Sequence, residues 1–313
     1  MRIREPGKIT DRLFFLGREE SCLYLVEGEA HSMIISGGMS YLVSDLLDQF
    51  KTFGIDETRI HKLLILHAHF DHVGTVPFLK RRFPHMEVYA SGRAWELLAT
   101  PRVIHTINAF SLEVAKRNGM AGVYDTYDLK WRDDVKGIPV HEGERIDLGG
   151  LDVELFDTPG HSSCSMSAYI PRLKALFASD GGGIPYKNTI IASGNSNYTR
   201  YQQSLEKLRH LDVRFLCADH YGYIEGDEAQ AFIPESIKTA KARRGEIQAI
   251  YNRTGSIDAT VEEMARSFYQ NNADYILTPE ITRGIYRQLV RHIAGAMAEK
   301  ATKLTSIPSL TNY

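Results

Sequence analysis

The sequence predicts an α/β domain followed by a group of helices, on three observations. Apolar runs of strand length recur from Leu13 to Cys217, and several of them end in a cluster of His, Asp, Ser and Gly. Beyond about Gly226 such runs give way to long stretches of helical periodicity.

Taken in order, LFFLG, SCLYLVEG and HSMIISGG read as strands, Tyr41 to Phe50 as an amphipathic helix, and LLIL, ending at Leu66, as the next strand. VPFLKRRFP reads as a short helix stopped by Pro84, because proline disfavours the helical conformation in the residue before it. EVYAS then returns to a strand. From about residue 95 to 135 the period is helical and interrupts the strand pattern, an insertion suited to lie over a site as a lid. It carries Tyr124, Tyr127 and Trp131; an acyl pocket and ordinary helix packing account for these aromatics equally well.

Strand-like runs resume with IPVHEGERIDLGG, LDVELFDTPGHS, SAYIP, KALFASDGG and RFLCADHYG. The expected division is a catalytic domain of residues 1–226 and a C-terminal helical subdomain of residues 227–313 covering the site. In the latter, Glu228 to Tyr251 and Ala259 to Gln270 are helical, and a third helix, Pro279 to Lys300, starts on Thr278, Pro279 and Glu280. The closing LTSIPSLTNY reads as an irregular tail.

Composition removes several function classes. A formal net charge of −2 with both signs mixed along 313 residues argues against a dedicated nucleic-acid surface. Its start is charged, without the apolar core of a signal peptide, and no segment has the ~20 apolar residues that span a bilayer; a cytoplasmic protein is expected. Cys22, Cys164 and Cys217 are widely spaced with no CxxC pair, so buried, reduced thiols are expected rather than a disulfide framework or a thiolate zinc site.

The chemistry gathers at the strand ends. In LLILHAHFDHVG, His67 and His69 are two apart and leave the backbone on the same side, and Asp71 and His72 reach a neighbouring point if the chain turns. One HxH has a bland explanation, a hydrogen-bonded loop. HxHxDH crowds four polar side chains into one turn, which points to metal binding. Four ligands do not complete two metal positions, so further His or Asp are expected at other strand ends. DTPGHS offers His161, FASDGG offers Asp180 and CADHYG offers His220. Each alone reads equally well as a buried or capping residue; with HxHxDH they make a ligand set of imidazole and carboxylate, suited to zinc or iron, with manganese also allowed.

The order HAHFDH, PGHS, SDGG, ADHYG, spanning roughly Leu13 to Gly222, resembles the metallo-β-lactamase superfamily. The resemblance implies a four-layer αβ/βα sandwich, two sheets face to face between outer helices. It also implies two divalent metal ions per chain: His67, His69 and His161 at the first, Asp71, His72 and His220 at the second, and Asp180 bridging. Asp71 and His72 in place of a cysteine ligand resemble the glyoxalase II branch. Two cations ~3.5–4 Å apart share a water whose pKa falls from 15.7 to near 7, making a bridging hydroxide available as nucleophile. Asp71 is the residue expected to orient it and take up its proton. Ser162, Ser163, Ser165 and Cys164 read as loop hydrogen-bonders.

The expected activity is hydrolysis of a small-molecule thioester or related acyl ester. The layout as a whole is most similar to that of the superfamily's 2-aminobenzoylacetyl-CoA thioesterases, which also implies a homodimer as an option. Phosphodiester hydrolysis and a regulatory or interaction role with a largely structural metal site stand as alternatives. Lys238, Lys241, Arg243 and Arg244 could meet coenzyme A phosphates or simply form a solvated helix face, and Lys80, Arg81 and Arg82 share that ambiguity. One departure is notable: most superfamily members carry an aspartate at the position of Ser36, behind a ligand histidine, where a serine can accept a hydrogen bond but brings no charge.

Overall fold

The computed structural model describes residues 1–305 except 274 and 276, with side chains of 300–305 left out. Two seven-stranded sheets dominate it. The strands in chain order are β1 (Arg2–Ile3), β2 (Gly7–Thr10), β3 (Leu13–Arg18), β4 (Ser21–Glu27), β5 (Ser32–Ile35), β6 (Ile60–Leu64), β7 (Glu87–Ser91) and β8 (Ile138–Val140), then β9 (Arg145–Asp147), β10 (Asp152–Asp157), β11 (Met166–Ile170) and β12 (Ala175–Phe177), then the hairpin β13 (Ile184–Tyr186) and β14 (Thr189–Ile191), and last β15 (Phe215–Cys217) and β16 (Tyr223–Glu225). The first sheet runs β2 to β8 in sequence order, antiparallel as far as β5 and parallel from there. The second is ordered β1-β16-β15-β12-β11-β10-β9, with β12 and β15 parallel.

Strand periodicity builds the layers. Along β3, β4 and β5, Phe15, Tyr24, Val26 and Ile35 join a core shared with Val153, Met166 and Phe177 of the second sheet. Their alternates Leu16, Leu23, Leu25 and Ile34 join a core with helix residues Leu46, Phe50 and Leu79. Side chains on a strand point alternately to its two faces, so each strand faces sheet on one side and helix on the other. Both faces being buried, the runs read as continuously apolar. The four-layer sandwich is therefore the observed fold.

The helices on the first sheet are α1 (Val43–Thr52), the single turn α2 (Phe70–Val73), α3 (Val76–Arg82), α4 (Gly92–Leu98), α5 (Pro101–Arg117) and the turn α6 (Val123–Thr126). On the second lie α7 (Tyr198–Leu208) and α8 (Asp227–Thr254), followed by α9 (Ile257–Asn271) and α10 (Pro279–Thr305). A core of Leu205, Leu208, Phe232, Ile233, Val261 and Leu289 ties these last four together. Thr278 caps α10, its hydroxyl accepting from the Ile281 N–H at 3.4 Å ahead of Pro279. The helix continues past Lys300 to Thr305, through good helix formers such as Ala301, Lys303 and Leu304. Of the expected tail, residues 306–313 lie outside the described residues.

In the insertion, Trp131 is 1% exposed in the helix-side core, Tyr124 meets Ser40 at 2.8 Å and Tyr127 packs edge-on against Phe78; the packing role applies to all three. Lys80 bonds the carbonyls of Pro84 and Met86, Arg81 pairs with Asp134 and Arg82 with Glu57, so these cations serve the fold. Cys22, Cys164 and Cys217 are buried free thiols.

Candidate metal centre

The two sheets are joined where the ligand motif begins. The N–H of Met166 in the second sheet donates to the carbonyl of Leu66 at 2.8 Å, and His67 follows directly. The chain then turns into α2, with His72 N–H bonded to the carbonyl of His69 at 3.0 Å, which folds HAHFDH onto itself. The turn is clamped by the SGG loop after β5: Gly37 N–H donates to His72, and Gly74 and Thr75 N–H donate to Gly38 and Gly37. His161 follows Gly160, whose φ of +138° suits glycine and whose added Cβ would stand 2.2 Å from the Tyr201 nitrogen. Asp180 sits in a 3₁₀ turn, Ser179–Gly182, after β12, and His220 three residues before the start of β16.

All seven predicted ligands converge. The His69 Nδ1 lies 3.1 Å from His67 Nε2 and 3.0 Å from His161 Nε2. In the other group, His72 Nε2 is 3.3 Å from His220 Nε2 and 3.5 Å from Asp71 Oδ2, which is 3.6 Å from His220 Nε2. Asp180 stands between them, Oδ2 at 3.4 Å from His161 Nε2 and 3.5 Å from His72 Nε2, Oδ1 at 3.5 Å from His220 Nε2. Donors around one tetrahedral ion at 2.0–2.2 Å stand roughly 3.3–3.6 Å apart, which the second group and Asp180 match, while the first group, at 3.0–3.1 Å, is a few tenths of an ångström tighter and would open slightly around an ion. Imidazole lone pairs aimed at each other over such distances repel unless a proton or cation lies between them, which is the strongest sign that the donor set fits metal.

Three of the outer ring nitrogens are held by a carbonyl or a carboxylate. His161 Nδ1 lies 2.8 Å from the Ser193 carbonyl, His220 Nδ1 2.7 Å from that of Glu20 and His72 Nδ1 2.8 Å from Asp219 Oδ2. Donation from Nδ1 leaves a lone pair on Nε2, the atom facing the cluster. Electrostatics follow the same division. Burial, then repulsion from neighbouring imidazoles, keeps His67 well below the usual imidazole range, and burial with His161 brings His69 to about 4. Burial would also lower His72, but Asp71 and Asp180 hold it well above that range. Burial would raise Asp71 and Asp180; His72 and its neighbours keep both below the ordinary carboxylate range.

Sequence reading missed Asp219, Ser179 and Ser193. Asp219 forms a third cluster with His67 and His72, but it meets His72 at Nδ1, the side away from Nε2. Ser36 differs from its expected role: rather than accepting from a histidine, it donates to Asp219 Oδ2 at 3.3 Å, because that carboxylate already occupies the place behind His72. Ser162 and Ser165 bond within their loop, at 2.9 Å between hydroxyls.

Above the cluster lies a cavity of about 600 Å³. Its floor includes His69, Asp71, His161, Asp180 and His220; its walls come from α5 (Val103, Ile107, Phe110) and from α9 and α10 (Phe268, Ile281, Ile285, Leu289). Arg102 is the one arginine or lysine among its described lining residues. Lys238, Lys241, Arg243 and Arg244 do not line it; Lys238 pairs with Glu235, Arg243 with Glu246, and Arg244 bonds Thr199. Among the described residues no helix is long and apolar enough to cross a membrane.

A four-layer sandwich with paired His and Asp clusters at its strand ends defines a class of metal-binding proteins, mostly hydrolases. Residues 19–220 match the metallo-beta-lactamase superfamily, and the chain belongs to it. A hydroxyacylglutathione hydrolase of Hahella chejuensis is 31% identical over 115 residues, 34% of this chain and 42% of that one. An atrochrysone carboxyl ACP thioesterase of Aspergillus fumigatus is 25% identical over 170 residues, 53% of this chain and 40% of that one, so both matches span less than half of the relative's length. Among solved structures, a metallo-beta-lactamase family protein from Thermus thermophilus, TTHA1429, covers 93% of this chain and 95% of its own, with a TM-score of 0.65 at 14% identity, a likeness of fold.

Proposed function

We propose that the chain is a dinuclear metal-dependent hydrolase of acyl esters, thioesters foremost. His67, His69 and His161 would hold one ion, Asp71, His72 and His220 the other, and Asp180 both, with zinc, iron or manganese suited to the donors. When bound, such a pair supplies a nucleophilic water at neutral pH and polarises the carbonyl under attack. Asp71, partly open to the cavity, is the group placed to orient that water and receive its proton.

The observation that carries the substrate class is the cavity wall. An acyl chain or ring entering it meets Phe110, Ile285 and Leu289 and leaves water behind, at roughly 25 cal/mol per Å² of apolar surface buried. A phosphodiester would need its charge met, and among the described residues of the wall Arg102 is the one arginine or lysine to meet it. The relatives that act on a glutathione conjugate and on an acyl carrier protein, by their names, support the thioester reading. In this reading residues 1–226 carry the chemistry, and the insertion at 95–135 with the helices of 227–313 selects the acyl group.

The test is turnover by metal-loaded protein across acyl thioesters of graded chain length, oxygen esters and a bis-aryl phosphodiester. Thioester turnover that is lost in chelator and restored by metal is expected. A phosphodiester preference, or activity that survives complete metal removal, overturns the proposal.

A further inference from the structure

We propose that Asp219 is the one carboxylate that orients an imidazole of each metal position, His72 directly and His67 through Ser179, supplying the charge that Ser36 lacks. The inference rests on the metal-pair reading above and concerns residues that stand behind the ligands. Asp219 is 3% exposed and fixed by its backbone: Cys22 N–H donates to its carbonyl at 2.8 Å, and the Tyr24 hydroxyl donates to the carbonyl of Ala218 at 2.6 Å.

Three donors converge on one of its oxygens. Oδ2 is 2.8 Å from His72 Nδ1, 2.5 Å from the Ser179 hydroxyl and 3.3 Å from the Ser36 hydroxyl. A serine hydroxyl has a single proton. Ser179 gives its own to Asp219, so His67 Nδ1, 3.2 Å away, is the donor to the Ser179 oxygen. The carboxylate thereby sets both rings to the Nδ1–H tautomer, with Nε2 of His67 aimed at the first position and Nε2 of His72 at the second. Asp219 is a positioning residue, since Oδ2 is filled and lies on the side of His72 opposite its ligand atom.

The backbone supports this assignment. Ser36 and Ser179 both have left-handed φ, 70° and 47°, which residues with a Cβ seldom adopt, and both aim hydroxyls at the same oxygen. Asp219 Oδ1 has no hydrogen-bond partner among the described residues, so the carboxylate keeps charge that complements cations in the site. Since the Ser36 hydroxyl already touches Oδ2, a carboxylate grown from position 36 reaches the same spot, and aspartate tolerates the left-handed backbone better than most residues. One carboxylate fits there; two repel.

Metal content, affinity by chelator competition and the absorption spectrum of the cobalt-loaded protein are measured for wild type, Asp219→Asn, Ser36→Asp and the double variant. Wild type is expected to bind two ions, and Asp219→Asn to weaken binding at both positions by roughly 10–100-fold with an altered cobalt spectrum. Ser36→Asp alone should weaken binding as well, while the double variant recovers to within about threefold of wild type. Unchanged affinity and spectrum in Asp219→Asn, or no recovery in the double variant, overturns the proposal. A wild-type chain that binds no metal overturns the metal-pair reading with it. A second measurement depends on no variant folding: imidazole ¹⁵N resonances of the zinc-loaded wild type should show Nδ1–H tautomers at His67 and His72, and an Nε2–H tautomer at either overturns the proposal.

Discussion

At the scale of single residues, His72 and His220 illustrate how the ligand set divides. The Nε2 atoms of both face Asp71 and Asp180, while the His67, His69 and His161 group lies across Asp180. Replacing His220 by alanine should therefore remove one ion and spare the other, lowering the content from about two per chain to about one by elemental analysis. Asp180→Asn, which weakens a shared ligand, should lower affinity at both positions. Acid should act through His72: in the metal-free chain Asp71 and Asp180 raise its protonation range, so binding must expel a proton and affinity falls as pH falls. Chelator competition at pH 6 and pH 8 checks this, with weaker binding expected at pH 6. The seven clustered residues were legible in the sequence because their types recur after apolar runs at spacings that repeat the chemistry. Asp219 was not, although it adjoins His220. Its meaning comes from contact with His72, 147 residues away, and a lone polar residue has no period to betray it.

At the scale of elements, what the sequence made clear was wherever apolar spacing persisted for a full strand or several helical turns: β3 to β7, α5, and the three long helices after Gly226. The hairpin β13–β14 escaped because its two strands are three residues each, too short for alternation to show, and α7 because its buried face mixes Tyr198, Tyr201 and Ser204 with only two leucines, Leu205 and Leu208. Short connecting elements matter most at the site, where Gly160 is the clearest case. Its φ of +138° and the 2.2 Å clash of an added Cβ with the Tyr201 nitrogen mean that Gly160→Ala must displace either the His161 loop or the start of α7. A loss of about 2–3 kcal/mol is expected, near the top of the usual range for single substitutions. Chemical denaturation measures the loss, and it should be accompanied by weaker binding at the first metal position.

At the scale of the molecule, the sandwich and the helices divide the labour: strand ends hold the candidate metal floor, while α5, α9 and α10 form the apolar wall above it. The sequence announced the insertion and the C-terminal helices but not which of their faces line one cavity, since that depends on tertiary arrangement of segments more than 150 residues apart, such as those of Phe110 and Ile285. This separation makes a sharp prediction possible. Ile285 is on the wall and is no part of the ligand cluster, so Ile285→Trp should fill cavity space without touching metal binding. Long acyl thioesters should then lose kcat/KM by roughly 10–200-fold relative to short ones, the scale at which a pocket discriminates by one methylene or more. Metal content and turnover of the shortest acyl group should stay near wild type, because its carbonyl still reaches the floor. A uniform loss across chain lengths would mean that the cavity does not hold the acyl group, and a change in metal content would mean that the wall and the floor are not independent.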